Sequence, residues 1–238
     1  MKPYFIWNDI DSRSLGVWVS KLPDIIRPNE RVTSVQIYGR SGTLHTVEGS
    51  NVYDAYNKTV SIIVRPEADV GTILNTYRGA GKVIFSNEPN RVYTAYIADA
   101  LQLKRDGTWL MTGDLTFEVQ PFKTDTARPS AVTVTSGSTV LNIGDVELYP
   151  LITVAGSGGN VMTITVNGEI MKIDTTLESN PTYVLDCLNE TCVRDFGTRV
   201  ENRNMYMSGN YPQFNVGENI ITFSNVTSFS FVPDWLYL

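Results

Sequence analysis

Short runs of β-branched and aromatic residues, each closed by glycine, asparagine or proline, recur along most of this chain. Val32–Tyr38 and Lys58–Arg65 are dense early examples, and such residues favour pleated, half-buried strands. Helix-forming stretches of Leu, Ala, Glu and Lys are absent from the sequence. Hydrophobic residues make up 42% of the chain and charged residues 18%, which is enough apolar material for a packed core. We therefore expect a folded, mainly β protein.

One segment of the first half has helical rather than strand periodicity. From Pro66 to Tyr77 the apolar residues recur at intervals of three and four, with proline and acidic residues at the start, which is typical of a helix beginning. Gly79 and Gly81 are predicted to end it. Strands are then predicted at Lys82–Phe85, Arg91–Ile97 and Trp109–Phe122, and the pattern indicates an α+β first half.

The hairpin signals are local and specific. Val32–Tyr38 is followed by Gly39-Arg40-Ser41-Gly42 and a predicted return strand from Thr43 to Glu48, because glycine permits the positive φ of a tight turn. In the second half, Asn167-Gly168 between two apolar runs is the clearest hairpin signal.

A polar stretch predicts the boundary between two domains. Pro121 and the residues from Lys123 to Ser130 have no apolar period, as expected for a linker. We place the boundary near Ala127–Pro129, giving domains 1–128 and 129–238. Beyond it, short strands separated by turns predict a β-sandwich. The predicted strands are Val132–Val134, Val146–Val154, Val161–Val166, Ile170–Ile173, Thr182–Asp186, Ile220–Phe223 and Ser228–Val232.

Charge is divided unequally between these two halves. Residues 1–128 carry 15 Lys and Arg against 14 Asp and Glu, whereas residues 129–238 carry 4 against 11, so the net charges are +1 and −7. Neutralising phosphate requires clustered cations, and we therefore expect no sequence-specific nucleic-acid partner. The N-terminus does not read as a signal peptide, and no apolar run approaches the ~18 residues of a spanning helix. We expect no membrane insertion.

Residues that could carry catalysis are scarce. His45 is the only histidine, so a histidine-based triad or a two-histidine metal site has little support. Cys187 and Cys192 match neither a zinc ribbon nor a redox motif and are expected to be reduced. Acidic pairs such as Glu169 and Asp174 are expected to be ordinary surface residues rather than a glycosidase pair. We predict no enzyme activity, no cofactor, and no catalytic, cofactor-binding or metal-ligating residue.

Two groups of residues are candidates for structural or binding roles. Gly39, Arg40 and Gly42 are candidates for a structural turn used in assembly. The second half supplies aromatic side chains that could pack in a core or interface, or stack on sugar rings. These residues are Tyr183, Tyr206, Tyr211 and Trp235.

Several motifs, taken in order, resemble the distal tail (Dit) proteins of long-tailed, siphovirus-type phages that infect Gram-positive bacteria. The likeness spans nearly the whole chain, although Ser41 stands where the family often has an acidic residue. The motifs are Phe5–Asn8, Leu15–Val17, Gly39–Gly42, Gly79–Ser86, Glu88–Arg91, Tyr93–Tyr96, Asn142–Gly144, Gly156–Gly158, Ile164–Gly168, Tyr211-Pro212 and Pro233–Trp235.

The resemblance implies a structural role in the virion, at the phage tail tip, after synthesis in the host cytoplasm. Domain 1–128 would form a homohexameric ring that joins the tail-tube protein to the tail-associated hub or fibre protein. Domain 129–238 would be a galectin-like β-sandwich, which in some relatives carries receptor-binding proteins. The alternative is a carbohydrate-binding module on an α+β adaptor, and a third reading is a hydrolase.

Overall fold

A computed structural model describes residues 2–47, 49, 51–105, 107, 109–127 and 129–238. Its internal contacts fall into two compact units, residues 1–127 with Leu238 and residues 128–237. Strands dominate both units, and α1 (Val70–Thr76) is the one α-helix in the part of the chain described. The prediction of a mainly β chain with one short helix in the first half is confirmed. Among these residues, no helix has the length and apolar character needed to cross a membrane.

The first unit is built on one large antiparallel sheet. Eight strands form it in the order β2-β1-β7-β8-β10-β6-β3 with β9 on β10, while β4 and β5 form a separate two-stranded sheet. A 3₁₀ helix spans Ser12–Leu15. The strands are β1 Phe5–Trp7, β2 Ile10–Asp11, β3 Val17–Lys21, β4 Val32–Gln36, β5 Thr43–Val47, β6 Tyr56–Val64, β7 Gly79–Phe85, β8 Arg91–Ile97, β9 Lys104–Arg105 and β10 Met111–Asp125.

Alternating side chains of β6 show where the core of the first unit lies. Val60, Ile62 and Val64 are buried, whereas Ser61 and Ile63 between them are partly exposed, as the period of two in a strand requires. The rings of Phe5 and Phe117 pack edge to face against the same core, with centroids 5.6 Å apart.

Strand β10 runs through part of the predicted linker. It pairs with β6 over Met111–Val119 and with β8 up to Asp125, and its register shifts between Val119 and Lys123. Pro121 lies in that irregular step, where a residue without an N–H interrupts no regular ladder. The linker prediction was therefore wrong for Pro121 and for Lys123–Asp125, and residue 128 of the predicted boundary lies outside the described residues.

The helix is shorter than its apolar pattern predicts. It begins at Val70, after Asp69, whose carboxylate accepts hydrogen bonds from the Gly71 N–H at 3.0 Å and the Thr72 hydroxyl at 2.7 Å. This is an N-cap, and it satisfies an amide that the first turn leaves free. The predicted start at Pro66 was wrong because the capping carboxylate, not the proline, sets the first turn.

The second unit contains two antiparallel sheets that share one hydrophobic core. The sheet orders are β11-β21-β13-β16-β17-β18 and β12-β20-β14-β15-β19. A common core between two sheets is a β-sandwich. The strands are β11 Val132–Val134, β12 Ser138–Asn142, β13 Leu151–Ala155, β14 Val161–Val166, β15 Glu169–Asp174, β16 Thr182–Asp186, β17 Thr191–Asp195, β18 Val200–Asn202, β19 Met207–Gly209, β20 Gly217–Ser224 and β21 Ser228–Phe231.

In this unit the hairpin turn was predicted correctly, whereas the start of one strand was predicted too early. Asn167 and Gly168 have φ of 52° and 91° and join β14 to β15 as a hairpin, the geometry of a type I′ turn. The strand predicted at Val146–Val154 begins only at Leu151, since Pro150 cannot donate to a ladder.

Both cysteines are free and buried, and burial raises the pKa of each thiol to about 12.

We expect the two units to fold independently, with the accessible connection between Asp125, where β10 ends, and Val132, where β11 begins. Limited proteolysis should cut there first and leave two fragments that keep their strand signal by circular dichroism. Early stable fragments that begin within Val146–Val166 would contradict this boundary.

Candidate assembly surface

Strands β4 and β5 form a hairpin whose side chains lie outside the core. Every residue from Arg31 to Val47 is exposed, and none belongs to the hydrophobic core of the first unit. We call residues 31–47 the arm. An isolated two-stranded hairpin is marginally stable in water. Binding to another surface would therefore stabilise the arm.

Both faces of the arm carry apolar side chains. Val32 pairs across the strands with Val47, and Val35 pairs with Leu44; these pairs lie on opposite faces because strand residues alternate. Tyr38, in the connecting loop, is fully exposed. A hairpin that covers a core has one apolar and one polar face, whereas this one presents an apolar surface on each side.

The predicted turn residues lie in the loop at the far end of the arm. Gly39 and Gly42 have φ of 78° and 88°, a region that opposes a β-carbon. A β-carbon added at either position would meet no atom within 4 Å. The glycines are therefore required by backbone conformation and not by crowding. The Arg40 N–H donates to the Ile37 carbonyl at 3.1 Å and helps to close the loop.

The base of the arm is held by ladder bonds and an ion pair. The Arg31 N–H donates to the Val52 carbonyl at 2.9 Å, and the Asp54 N–H donates to the Asn29 carbonyl at 3.0 Å. The Arg31 guanidinium lies 2.8 Å from the Asp54 carboxylate, although both side chains are half exposed and the pair adds little stability. Residues 22–30 and 52–54 are called the root of the arm.

The aromatic residues predicted as stacking candidates differ in exposure. Tyr183 is buried in the core of the second unit and its hydroxyl donates to Glu178, so it offers no ring to a ligand. Trp235 is 9% exposed and packs near Phe231. Tyr211 is partly buried, while Tyr206 is 39% exposed and keeps an accessible ring.

A buried ionic cluster in the first unit was missed by sequence reasoning. The Glu88 carboxylate accepts hydrogen bonds from the Tyr93 hydroxyl and from Lys123 Nζ at 3.2 Å, and Lys58 Nζ lies 3.7 Å from it. The Lys58 and Lys123 side chains are only 1% and 7% exposed. The available signal was the phase of β6, where Lys58 alternates inward with Val60 and Ile62.

Burial and pairing act in opposite directions within this cluster. Burial alone would raise the pKa of Glu88, but the Tyr93 hydroxyl and the Lys123 ammonium outweigh it and leave this pKa below its usual value. Burial lowers the pKa of Lys58 even though Glu88 favours its charged form. The attraction between the ammonium groups and the carboxylate thus stabilises the cluster, while the loss of hydration on burial destabilises it.

Neither His45 nor the Glu169–Asp174 pair is arranged for catalysis. His45 Nδ1 lies 2.8 Å from Ser34 Oγ across the arm, but both side chains are exposed, so no desolvated pocket surrounds the pair. Glu169 is the first residue of β15 and Asp174 is the last. At a rise of ~3.3 Å per residue, these two residues are about 16 Å apart along the strand. Paired glycosidase carboxylates are roughly 5 to 9.5 Å apart.

The chain as a whole is similar in fold to solved structures of phage tail proteins. The crystal structure of the SPP1 Dit protein, described as a paradigm of the hub adsorption apparatus in phages infecting Gram-positive bacteria, is similar at a TM-score of 0.76. The alignment covers 100% of both chains at 16% identity. The sequence-based resemblance to distal tail proteins is confirmed at the level of the fold.

Two further solved structures are similar over 97% of each chain. These are the phage P2 baseplate in its activated conformation with Ca, at a TM-score of 0.53 and 10% identity, and the same baseplate with Sr, at 0.50 and 11%. No protein-family model matches this sequence, and no curated protein matches it.

Replacing Gly39 by valine should destabilise the arm, because a β-branched residue would have to adopt a φ of 78°. We expect a cost on the order of 1 to 3 kcal/mol, measured as a lower melting temperature together with weaker assembly. Ser41→Val is the matched control, since Ser41 lies in the same loop without a positive φ. An unchanged melting temperature and unchanged assembly of the Gly39 variant would refute the structural role of this turn.

Proposed function

We propose that this chain is a non-enzymatic structural protein of the phage tail tip, which forms a hexameric ring between the tail tube and the hub or fibre proteins. The observation that carries the proposal is the arm, a hairpin exposed on both faces in the unit expected to form the ring. The likeness in fold to SPP1 Dit and to the P2 baseplate supports it.

The arm provides the kind of surface that repeated self-contact needs. Its two cross-strand apolar pairs expose area that water does not favour. Among the described residues β4 and β5 form a sheet of two strands, and strands at the edge of a sheet can add to another sheet. An arm on one copy that binds a different surface on the next copy makes a head-to-tail contact, and such contacts yield a ring when the rotation closes.

The charge distribution supports a division of labour between the two halves. A net charge of +1 in residues 1–128 allows copies to approach without strong repulsion, whereas a net charge of −7 suits a unit that faces solvent. In this proposal the second unit is a galectin-like sandwich on the outside of the ring, where it could carry a receptor-binding protein. The tail-tube protein and the hub or fibre protein would bind the first unit.

The assembly itself gives the test. The intact 26.5 kDa chain should sediment as a closed hexamer, and residues 1–128 alone should also form a closed oligomer, while residues 129–238 should stay monomeric. Added salt should change this little, because the assembling half has almost no net charge to screen. Analytical ultracentrifugation and native mass spectrometry measure both results.

A matched pair of full-length variants separates the arm from other apolar surface. Val35→Thr with Leu44→Thr should break the oligomer. Leu141→Thr with Ile220→Thr, which alters side chains of similar exposure in the second unit, should leave it intact. If the second unit oligomerises while the first is monomeric at every concentration, the ring has been assigned to the wrong half.

A cleft in the second unit favours the alternative of carbohydrate binding. It has a volume of about 160 Å³, and Tyr206 is among its lining residues. Glu178, with a side chain 10% exposed, lies 3.1 Å from Arg194 and 3.6 Å from Arg203. The Arg203 guanidinium is 5.1 Å from the Tyr206 ring. Charged hydrogen-bonding groups beside an aromatic ring are suited to the hydroxyls and apolar face of a sugar.

Glycan-array binding by the full-length chain tests this alternative. Under the carbohydrate reading, Tyr206→Ala should abolish the binding, while Tyr149→Ala should not, because Tyr149 is equally exposed but does not line the cleft. If no glycan is bound, or if both variants lose binding together, the cleft is not a sugar site.

A further inference from the structure

Two side chains from the body of the first unit hold the segment that leads into the arm. Lys58 Nζ, from β6, donates to the Asp24 carbonyl at 2.8 Å. Asn87 Nδ2, from the turn between β7 and β8, donates to the Pro23 carbonyl at 2.9 Å. Two consecutive carbonyls of the arm root, those of Pro23 and Asp24, thus accept hydrogen bonds from residues distant in sequence.

The segment between these two hydrogen bonds and the arm is conformationally restricted. Pro23 and Pro28 are both buried, and proline fixes its own φ and restricts the residue before it. Arg27 donates to the Tyr53 hydroxyl at 3.1 Å, and the Tyr53 ring packs edge to face on Phe122. These contacts restrict the path of the chain from Pro23 and Asp24 to Arg31, where the arm begins.

Lys58 is not needed to neutralise Glu88. Lys123 already lies 3.2 Å from this carboxylate, and one ammonium balances one carboxylate. The second ammonium, from Lys58, gives the buried group of three a net positive charge, which is unfavourable away from water. An apolar residue at position 58 would continue the inward row of Val60 and Ile62 without that cost. The feature that the lysine adds is its hydrogen bond to the arm root.

We propose that Lys58 and Asn87 are positioning residues that set the direction in which the arm leaves the first unit, and thereby whether the arms of successive copies close a ring. The Glu88 carboxylate, 3.7 Å from Lys58 Nζ, helps to hold the ammonium in place, and the Tyr93 ring, 4.9 Å from Lys58 Nζ, adds a cation–π contact. The part that concerns ring closure rests on the proposed function of the arm, whereas the fixing of the arm root does not.

The test compares two methionine substitutions in the full-length chain. Lys58→Met and Lys123→Met each remove one buried ammonium from Glu88, but only Lys58 is bonded to the arm root. In Lys58→Met the amides of Arg31 and Asp54, which close the root, should exchange hydrogen roughly tenfold faster. Lys123→Met should leave these amides at the wild-type rate. Equal effects of the two substitutions on the root would overturn the proposal.

A second variant covers the case in which Lys58→Met does not fold. Asn87 is exposed, so Asn87→Ala leaves the core unchanged and should also speed exchange at the arm root. A rate in Asn87→Ala identical to the wild type would contradict the assignment of Asn87. For either variant that loosens the root, we expect a mixture of open oligomers and incomplete rings by native mass spectrometry.

The two readouts separate this inference from the proposed function. If Val35→Thr with Leu44→Thr leaves assembly intact, the arm is not the assembly surface and its proposed role in the ring fails, whatever the exchange data show. If that variant abolishes assembly while Lys58→Met and Asn87→Ala leave root exchange and ring closure unaltered, the function stands and the positioning role is overturned.

Discussion

The pairing of β10 with two long neighbours is the constraint on which the first unit depends. Its first part bonds to β6 and its last part to β8, so one continuous segment joins the halves of the sheet. Glu118 and Val119 pair with both neighbours, and the register with β8 is broken beyond them, around Pro121. Because β6 also supplies Lys58, the same sheet that buries the core carries the tie to the arm.

Much of the fold could be predicted from local chemistry, and the failures have local reasons as well. Hairpins at Gly39–Gly42 and Asn167-Gly168 were recognisable because a positive φ selects glycine and asparagine. Strands such as Val200–Asn202 and Met207–Gly209 were missed because three polar or mixed residues have no period. Only neighbouring strands, brought close by tertiary structure, make them part of a sheet.

The sequence predicted the strand and turn of the candidate surface, but it did not predict that both faces of the hairpin are exposed. The run from Val32 to Tyr38 has apolar residues in both phases, which is also the pattern of a strand buried on two sides. Whether such a strand is covered by its own chain or left exposed depends on contacts between distant residues. Lys58 shows the opposite case, since the phase of β6 placed it inward although charge alone suggests a surface residue.

Burial of the two thiols has a chemical consequence for the lifetime of the protein. Oxidation proceeds through the thiolate, and groups with a pKa of about 12 are almost entirely protonated at neutral pH. Both thiols are also buried, so Cys187 and Cys192 should resist oxidation in an aerated medium that contains no reductant.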